Sequence, residues 1–271
     1  MAIIPKDAAT VILLRDMPDS SGFEVLMVLR HPDNEFVPSA YVFPGGCLED
    51  DDFSPGIERF CTGVDQAKAR RLMDAMSRPE KAIGAWVGVI RETFEEVGLL
   101  LAYREDGSPL SFDSDVVTER FDAHRRLLFE GKRSLQKILA DERLTLAADK
   151  LHYFSHWITP EYLPLRYDVR FFVAKAPAGQ SALHDGVELT RHVWITPQEA
   201  LALFKKCKCN MVLPTLMTMY DLASFDSADE VIRSTKKKNV SGILTKMIEE
   251  DDEIVEYMPD GRAFRGMPPS V

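Results

Sequence analysis

Runs of β-branched and aromatic residues, interrupted by polar turn residues, open the chain. Residues 9–14 and 23–30 are two such runs, and the segment between them is rich in Asp, Ser and Gly. This pattern predicts a β-hairpin. Residues 41–43 form a further extended run, which ends at Pro-Gly-Gly with Gly45 and Gly46. Because glycine adopts backbone angles closed to other residues, a loop of this kind can bring the backbone close to a ligand.

A helical pattern covers residues 80–97. Apolar residues recur there at helical spacing, glutamates occupy another side, and Gly98 follows as a helix-ending glycine. The same kind of pattern predicts strands at residues 99–103, 153–159, 169–174 and 189–195. It predicts further helices at residues 64–76, within residues 115–151, and at residues 197–206, 211–223 and 228–236.

Strands flanked by helices predict an α/β fold with a mixed sheet. We expect a single domain over residues 1–271. Two helical insertions are predicted, at about residues 47–82 and 113–151, and a helical C-terminal extension at about residues 207–271. The extension ends in a charged tail from Glu249 onward, for which partial order is expected.

Composition and charge narrow the class of function. The chain has 33 Lys and Arg against 43 Asp and Glu, a net charge of -10, which argues against a nucleic-acid-binding surface. No apolar run approaches the roughly 18 residues that a membrane span needs, so no membrane partner is expected. The N-terminus lacks the pattern of a signal peptide and the C-terminus is not a peroxisomal address, which makes the cytoplasm the expected location.

Three glutamates in the helix of residues 80–97 carry the candidate chemistry. Glu92, Glu95 and Glu96 stand at i, i+3 and i+4, so their carboxylates project from one face within a single turn. Such like charges repel unless a cation neutralises them, and oxygen ligands suit Mg²⁺ or Mn²⁺. Arg91 is expected to hold one of the glutamates in place. The alternative is an ordinary charged helix face exposed to solvent.

The sequence Arg-Glu-Thr-Phe-Glu-Glu-Val-Gly at residues 91–98, with Pro-Gly-Gly upstream, resembles the signature of the Nudix hydrolase superfamily. Its second half matches apart from Thr93, where an aliphatic residue is usual. The first half departs, because Gly46 and Arg91 lie 45 positions apart, 31 more than in the signature. Counting back from Arg91 puts Ile83 where the signature has its first glutamate. With an insertion inside the signature, the chain resembles the subgroup that includes the peroxisomal coenzyme A and acyl-coenzyme A diphosphatases.

This resemblance implies a Nudix α/β/α sandwich and a metal-dependent hydrolase of a nucleoside diphosphate linked to another group. Glu92, Glu95 and Glu96 would bind Mg²⁺ or Mn²⁺ together with a backbone carbonyl such as that of Gly46, and Arg91 would support them. The favoured substrate is coenzyme A or an acyl-coenzyme A, cleaved to 3',5'-ADP and a phosphopantetheine. ADP-ribose, NADH and nucleotide sugars are alternative substrates, and a nucleotide-binding module without activity is an alternative function.

Several further residues are candidates for roles that the signature leaves open. Glu49 and Glu188 are the two acidic residues considered in place of the missing first glutamate or as the base. The substrate-binding candidates are the arginines and the glycine pair: Arg30, Arg166, Arg170, Gly45 and Gly46. The expected partner is a small nucleotide, and the sequence leaves open whether the chain forms a homodimer.

Overall fold

A computed structural model describes residues 3–19, 21–73, 76 and 78–265. The strands, in chain order, are β1 (Lys6–Asp16), β2 (Phe23–Arg30), β3 (Tyr41–Val42), β4 (Gly45–Cys47), β5 (Ala102–Tyr103), β6 (Thr145–Leu146), β7 (His152–Ile158), β8 (Tyr167–Lys175), β9 (Leu189–Ile195), β10 (Gly242–Leu244), β11 (Lys246–Glu250), β12 (Glu253–Tyr257) and β13 (Ala263–Arg265). The α-helices are α1 (Gln66–Leu72), α2 (Lys81–Val97), α3 (Asp115–Phe129), α4 (Leu135–Asp141), α5 (Pro197–Lys205), α6 (Leu213–Leu222) and α7 (Ala228–Thr235).

Eight of these strands form one mixed sheet. Their order is β10-β7-β8-β1-β2-β3, with β4 beside β1 and β9 beside β2. β1 runs parallel to β8 and antiparallel to β2, as the hairpin pattern predicted for the latter pair. β1 therefore lies in the interior of the sheet, with neighbours on both sides.

Helices cover both faces of this sheet. Successive side chains of a strand point to opposite faces, so β1 contributes Val11 to one hydrophobic core and Ile12 to the other. Trp86 of α2 packs in the first core and Leu216 of α6 in the second. Because both faces are buried, the architecture is an α/β/α sandwich, which confirms the predicted fold class.

The strongest local signals in the sequence are confirmed. α2 covers all but the first residue of the predicted helix and ends at Gly98, whose φ of 72° is the left-handed conformation that favours glycine. α5 begins at Pro197, the first residue of the helix predicted at residues 197–206, behind a capping box in which Thr196 and Glu199 satisfy each other's backbone N–H groups.

Two other predictions need correction. The strand predicted at residues 99–103 is reduced to β5, because the side chain of Gln180 bonds both the N–H and the C=O of Leu100 and replaces a neighbouring strand there. The C-terminal extension is helical only as far as Thr235. After that, β10 joins the main sheet beside β7, and β11, β12 and β13 form a separate sheet that includes most of the predicted charged tail.

The insertion predicted at about residues 47–82 contains α1 and two short 3-10 helices, Asp50–Phe53 and Ile57–Phe60. The helix predicted at residues 64–76 is shorter in the structure, and Asp74 and Ala75 lie outside the described residues. In the described part of the chain no helix is both long enough and apolar enough to cross a membrane.

Candidate active site

The C-terminal half of α2 presents the three glutamates to a cleft in the protein. The side chains of Glu92 and Glu95 are 16% and 13% exposed, and Glu96 is buried. Arg125 of α3 closes this end of the helix, because its Nε and Nη2 donate to the backbone carbonyls of Glu95 and Glu96 at 2.8 Å each. Three carboxylates near a helix C-terminus face the negative end of the helix dipole, so this position favours a bound cation.

The glycine pair lies against these glutamates. The N–H of Gly45 donates to Oε2 of Glu96 at 2.8 Å, and a Cβ atom on Gly46 would stand 2.5 Å from the carboxyl carbon of Glu92. No residue other than glycine fits at position 46 without displacing Glu92. The hydroxyl of Thr10 donates to the carbonyl of Pro44 at 2.6 Å and holds the loop on β1. The predicted meeting of loop and helix is therefore present.

Arg91 is buried at the centre of the acidic group. Its Nη1 donates to Glu95 at 2.7 Å, and its Nη2 lies 3.0 Å from Glu92 and donates to the carbonyl of Cys47 at 2.9 Å. Nε and Nη2 also bind the two carboxylate oxygens of Asp52, at 2.9 and 3.1 Å. A guanidinium enclosed in this way positions other side chains and has no room to contact a substrate.

Asp52 is the residue that the sequence analysis missed. Five residues separate it from Gly46, and this is where the signature places its first glutamate when counted forward from the glycine. The 31 additional residues therefore follow Asp52, and Ile83, reached by counting back from Arg91, is buried inside α2. Gly88 leaves the space for this carboxylate, because a Cβ atom there would stand 2.8 Å from Oδ2 of Asp52.

Glu49 and Glu188 both line the cleft, but neither occupies the position of the first glutamate. The side chain of Glu49 is 64% exposed and stands 3.6 Å from Nη1 of Arg91. Glu188 is an exposed residue whose carbonyl accepts from the N–H of His31 at 2.8 Å. Burial, followed by the charge of Glu92, raises the pKa of Glu96, and the charge of Glu188 adds to this effect, which places Glu188 on the side of Glu96.

Of the three arginines predicted to bind substrate, the structure brings only Arg30 to the cleft. Its Nε donates to the carbonyl of Phe36 at 3.0 Å. Arg170 lies between two cleft-lining residues of β8 and therefore points to the opposite face, where it binds Asp7 at 3.0 Å. Arg166 is buried and donates to the carbonyls of Thr159 and Ile3 at 3.0 and 2.7 Å. Both side chains hold strands together, away from the cleft.

The charges and donors of the site fit a divalent metal ion. Burial raises the pKa of Glu92, Glu95 and Glu96 above the ordinary range, because negative charge is concentrated out of contact with water. In the described part of the chain no three acidic, His or Cys side chains converge at metal-binding distance, since Glu92 and Glu95 turn to Arg91 and Glu96 turns to Gly45. The fit therefore rests on the oxygen donors and the excess negative charge.

The cleft beside these residues has a volume of about 590 Å³. The second insertion provides part of its wall, where Phe129 and Arg133 line it. Strand residues and the C-terminal region provide further walls, which are largely apolar: Trp157, Val169, Phe171, Val212 and Pro214. Two buried polar residues of the C-terminal region, Thr245 and Glu256, also line it and are hydrogen-bonded to each other.

Comparisons with known proteins agree with this geometry. The family model described as the NUDT19 Nudix domain matches residues 5–224. The acyl-coenzyme A diphosphatase NUDT19 of Xenopus laevis is 26% identical over 89% of this chain and 71% of its own length, and its Homo sapiens counterpart is 23% identical over 91% and 74%. The crystal structure of a Nudix hydrolase from Alicyclobacillus acidocaldarius superposes with a TM-score of 0.70 at 21% identity, covering 86% of this chain and 97% of that one.

Proposed function

The chain belongs to the Nudix hydrolases, in the family described by the NUDT19 Nudix domain, and we propose that it is an acyl-coenzyme A diphosphatase. Water would add across the diphosphate of coenzyme A or an acyl-coenzyme A, and the products would be 3',5'-ADP and an (acyl)phosphopantetheine. One observation carries the catalytic part of the proposal: Glu92, Glu95 and Glu96 lie against the Gly45-Gly46 loop and around Arg91, at the wall of a cleft. The substrate comes from the relatives, which bear that name.

The residues of the chain take distinct roles in this proposal. Glu92, Glu95, Glu96 and the Gly46 carbonyl would hold Mg²⁺ or Mn²⁺, which polarises the phosphates and lowers the pKa of a bound water. Arg91 is a positioning residue, because its hydrogen bonds fix the carboxylates of Glu95 and Asp52 before substrate enters.

The substrate itself would be held by two features of the cleft. Arg30 is the candidate for a contact with the diphosphate, and the Gly45-Gly46 backbone shapes the surface against which the phosphates lie. Glu188 is the candidate for accepting a proton from the attacking water, since its carboxylate is exposed on the cleft side of Glu96.

Product analysis by mass spectrometry tests the proposal. The purified protein is incubated with Mg²⁺ or Mn²⁺ and with coenzyme A, acyl-coenzyme A, ADP-ribose, NADH and nucleotide sugars in parallel. We expect 3',5'-ADP to appear fastest from the coenzyme A compounds. Faster cleavage of another substrate would retain the diphosphatase mechanism and replace the substrate, whereas nucleotide binding without any cleavage would indicate a binding module.

Two variants make the experiment specific to the site. Glu96→Gln removes a buried carboxylate of the cleft and is expected to lower kcat by at least about 100-fold, since even loss of a residue that only supports a metal ligand costs about 10- to 100-fold. Glu119→Gln makes the same chemical change at an exposed position of α3 and should leave kcat unchanged. Equal activity of the two variants would contradict the assignment of Glu96.

The partner, the location and the oligomeric state belong to the proposal as well. A small nucleotide is the partner that the cleft suits, and the location in the cytoplasm stays a prediction. The comparisons give no support to a homodimer.

A further inference from the structure

One cation of the cleft has no role in the function proposed above. Three arginines line the cleft in the described part of the chain, and no lysine does. Arg91 is enclosed by carboxylates, and Arg30 stands near Glu96, whose pKa its charge lowers after the larger effects of burial and Glu92. Arg133 lies elsewhere, in the loop of the second insertion between α3 and α4.

A buried histidine holds Arg133 in its place. Nη1 of Arg133 lies 3.3 Å from Nδ1 of His124, and Nε2 of the same ring lies 2.9 Å from Oε1 of Glu142. An arginine can only donate, so Nδ1 accepts, and the ring proton on Nε2 is donated to Glu142. His124 is 8% exposed, and the pair therefore fixes the direction of a guanidinium whose own side chain is 31% exposed.

The rest of this guanidinium is available to a ligand. In the described part of the chain its Nε and Nη2 have no hydrogen-bond partner, and the nearest carboxylate is that of Asp141, 3.7 Å from Nη1. Asp141 is itself bound by Lys137, at 2.5 Å. A planar fork with free N–H groups, oriented by a buried histidine, is suited to a phosphate.

An exposed aromatic residue lines the same cleft as Arg133. Phe129 is the last residue of α3 and lines the same cleft, yet it is 42% exposed. Aromatic rings of this kind provide faces on which nucleic bases stack. A ring and an arginine with free N–H groups, four residues apart and both at the wall of one cleft, match the base and the phosphate of a phosphorylated nucleoside.

We propose that Phe129 and Arg133 form the subsite for the 3'-phosphoadenosine end of the substrate, with Arg133 binding the 3'-phosphate and Phe129 stacking on adenine. This inference rests on the proposed function, since coenzyme A carries a 3'-phosphate outside its diphosphate. The second insertion thereby determines specificity, and the largely apolar walls formed by the strands and the C-terminal region are left for the acyl-pantetheine end.

A pair of substrates that differ only in the 3'-phosphate tests the role of Arg133. kcat/KM is measured for coenzyme A and for 3'-dephospho-coenzyme A, with the wild type, Arg133→Gln and Arg133→Lys. We expect Arg133→Gln to lower kcat/KM for coenzyme A by about 10- to 100-fold, as loss of a charged hydrogen bond does, and to change that for the dephospho compound by less than about twofold. Arg133→Lys should fall between, because it keeps the charge but loses the fork.

Arg126→Gln is the matched control, since Arg126 is an exposed arginine of α3 that does not line the cleft. Its ratio of the two kcat/KM values should equal that of the wild type, and thermal unfolding should show that all variants fold. Equal losses on both substrates in Arg133→Gln, or a wild type that does not distinguish them, would overturn the inference while the proposed function stands.

A binding measurement separates the inference from the proposed function. If the wild type cleaves no diphosphate, calorimetry with 3',5'-ADP and 5'-AMP still decides whether the subsite exists. We expect the wild type to bind 3',5'-ADP more tightly than 5'-AMP, and Arg133→Gln to bind the two nucleotides with equal affinity. Phe129→Ala should weaken the binding of both nucleotides by about 5- to 100-fold. No difference between the two nucleotides in the wild type would overturn the subsite.

Discussion

The charge balance of the site is set by single side chains around Arg91. A guanidinium removed from water needs several acceptors, and Asp52 provides two oxygens in the arrangement that best matches its planar fork. Burial raises the pKa of Asp52, and the hydrogen bonds and charge of Arg91 oppose that rise. The aspartate is shorter than the glutamate of the signature, and it approaches α2 closely because Gly88 has no side chain. The ion pair of Asp52 with Arg91 thus connects the first half of the signature to its second half across the insertion.

Asp52→Asn should therefore affect both stability and activity. It leaves Arg91 in the interior with one of its charge partners missing, and we expect the free energy of unfolding in urea to fall by about 3 kcal/mol, the lower end for a broken buried pair, since Glu92 and Glu95 remain. kcat should fall as well, because Arg91 no longer fixes Glu95. Asp50→Asn, at an exposed neighbouring position, is the control. An unchanged free energy of unfolding in Asp52→Asn would show that the buried ion pair does not stabilise the fold.

The sequence predicted the glutamates, Arg91 and the glycine loop, because a fixed spacing on one helix and one loop determines their relation. It did not predict Asp52, although counting forward from Gly46 would have found it, since the insertion separates Asp52 from Arg91. The positions of Arg166 and Arg170 depend on which face of the sheet each side chain meets. That depends on the register of β8 against its neighbours, which one sequence does not reveal.

At the scale of elements, the second insertion supports the catalytic helix. The C-terminal carbonyls of any helix lack partners within it. Here Arg125 of α3 reaches across and binds the carbonyls of Glu95 and Glu96, the residues whose side chains enter the site. Gly98 permits this approach, because a Cβ atom there would stand 3.2 Å from Nη1 of Arg125. The end of α2 is thereby held by a helix that lies outside the Nudix signature.

Arg125→Gln should loosen this end of α2. Loss of two hydrogen bonds from a charged donor is expected to cost about 1–3 kcal/mol, which corresponds to a fall in Tm of several degrees in a chain of this size. kcat should fall together with Tm, because Glu95 and Glu96 move with the backbone that carries them. The neighbouring Arg126→Gln controls for charge, and a fall in Tm of equal size in both variants would contradict the specific role of Arg125.

Elements were predictable where one local signal determined them. α2 and α5 carry periodic apolar residues and terminal residues that end or cap a helix, and both were found. β11 is rich in charged residues and β13 has only three residues, so neither carries the alternation over several residues that marks a half-buried strand. Their pairing with β12 depends on contacts between strands and not on local sequence, and for that reason the extension was predicted as helical.

The cleft as a whole is assembled from parts that are far apart in the chain. Strands from both halves of the chain line it, the second insertion provides Arg133, and the C-terminal region provides Thr215 and Glu256. The sequence predicted where the chemistry takes place, because those residues are close neighbours along one helix. It did not predict the walls, because contacts between segments more than 100 residues apart depend on the completed fold. Substrate specificity is therefore a property of the whole molecule.

The excess negative charge of the site also has a consequence for the whole molecule. Glu96 is buried and Glu92, 16% exposed, lies close enough to raise its pKa, so their mutual repulsion opposes folding until a cation balances it. An ion that binds only the native state at ten times its Kd adds about 1.4 kcal/mol to the free energy of unfolding, or about 3–6 °C in Tm. We expect Mg²⁺ or Mn²⁺ to raise Tm by this amount relative to protein in EDTA. Glu119→Gln should retain the shift and Glu96→Gln should lose most of it, whereas equal shifts in both variants would place the metal elsewhere.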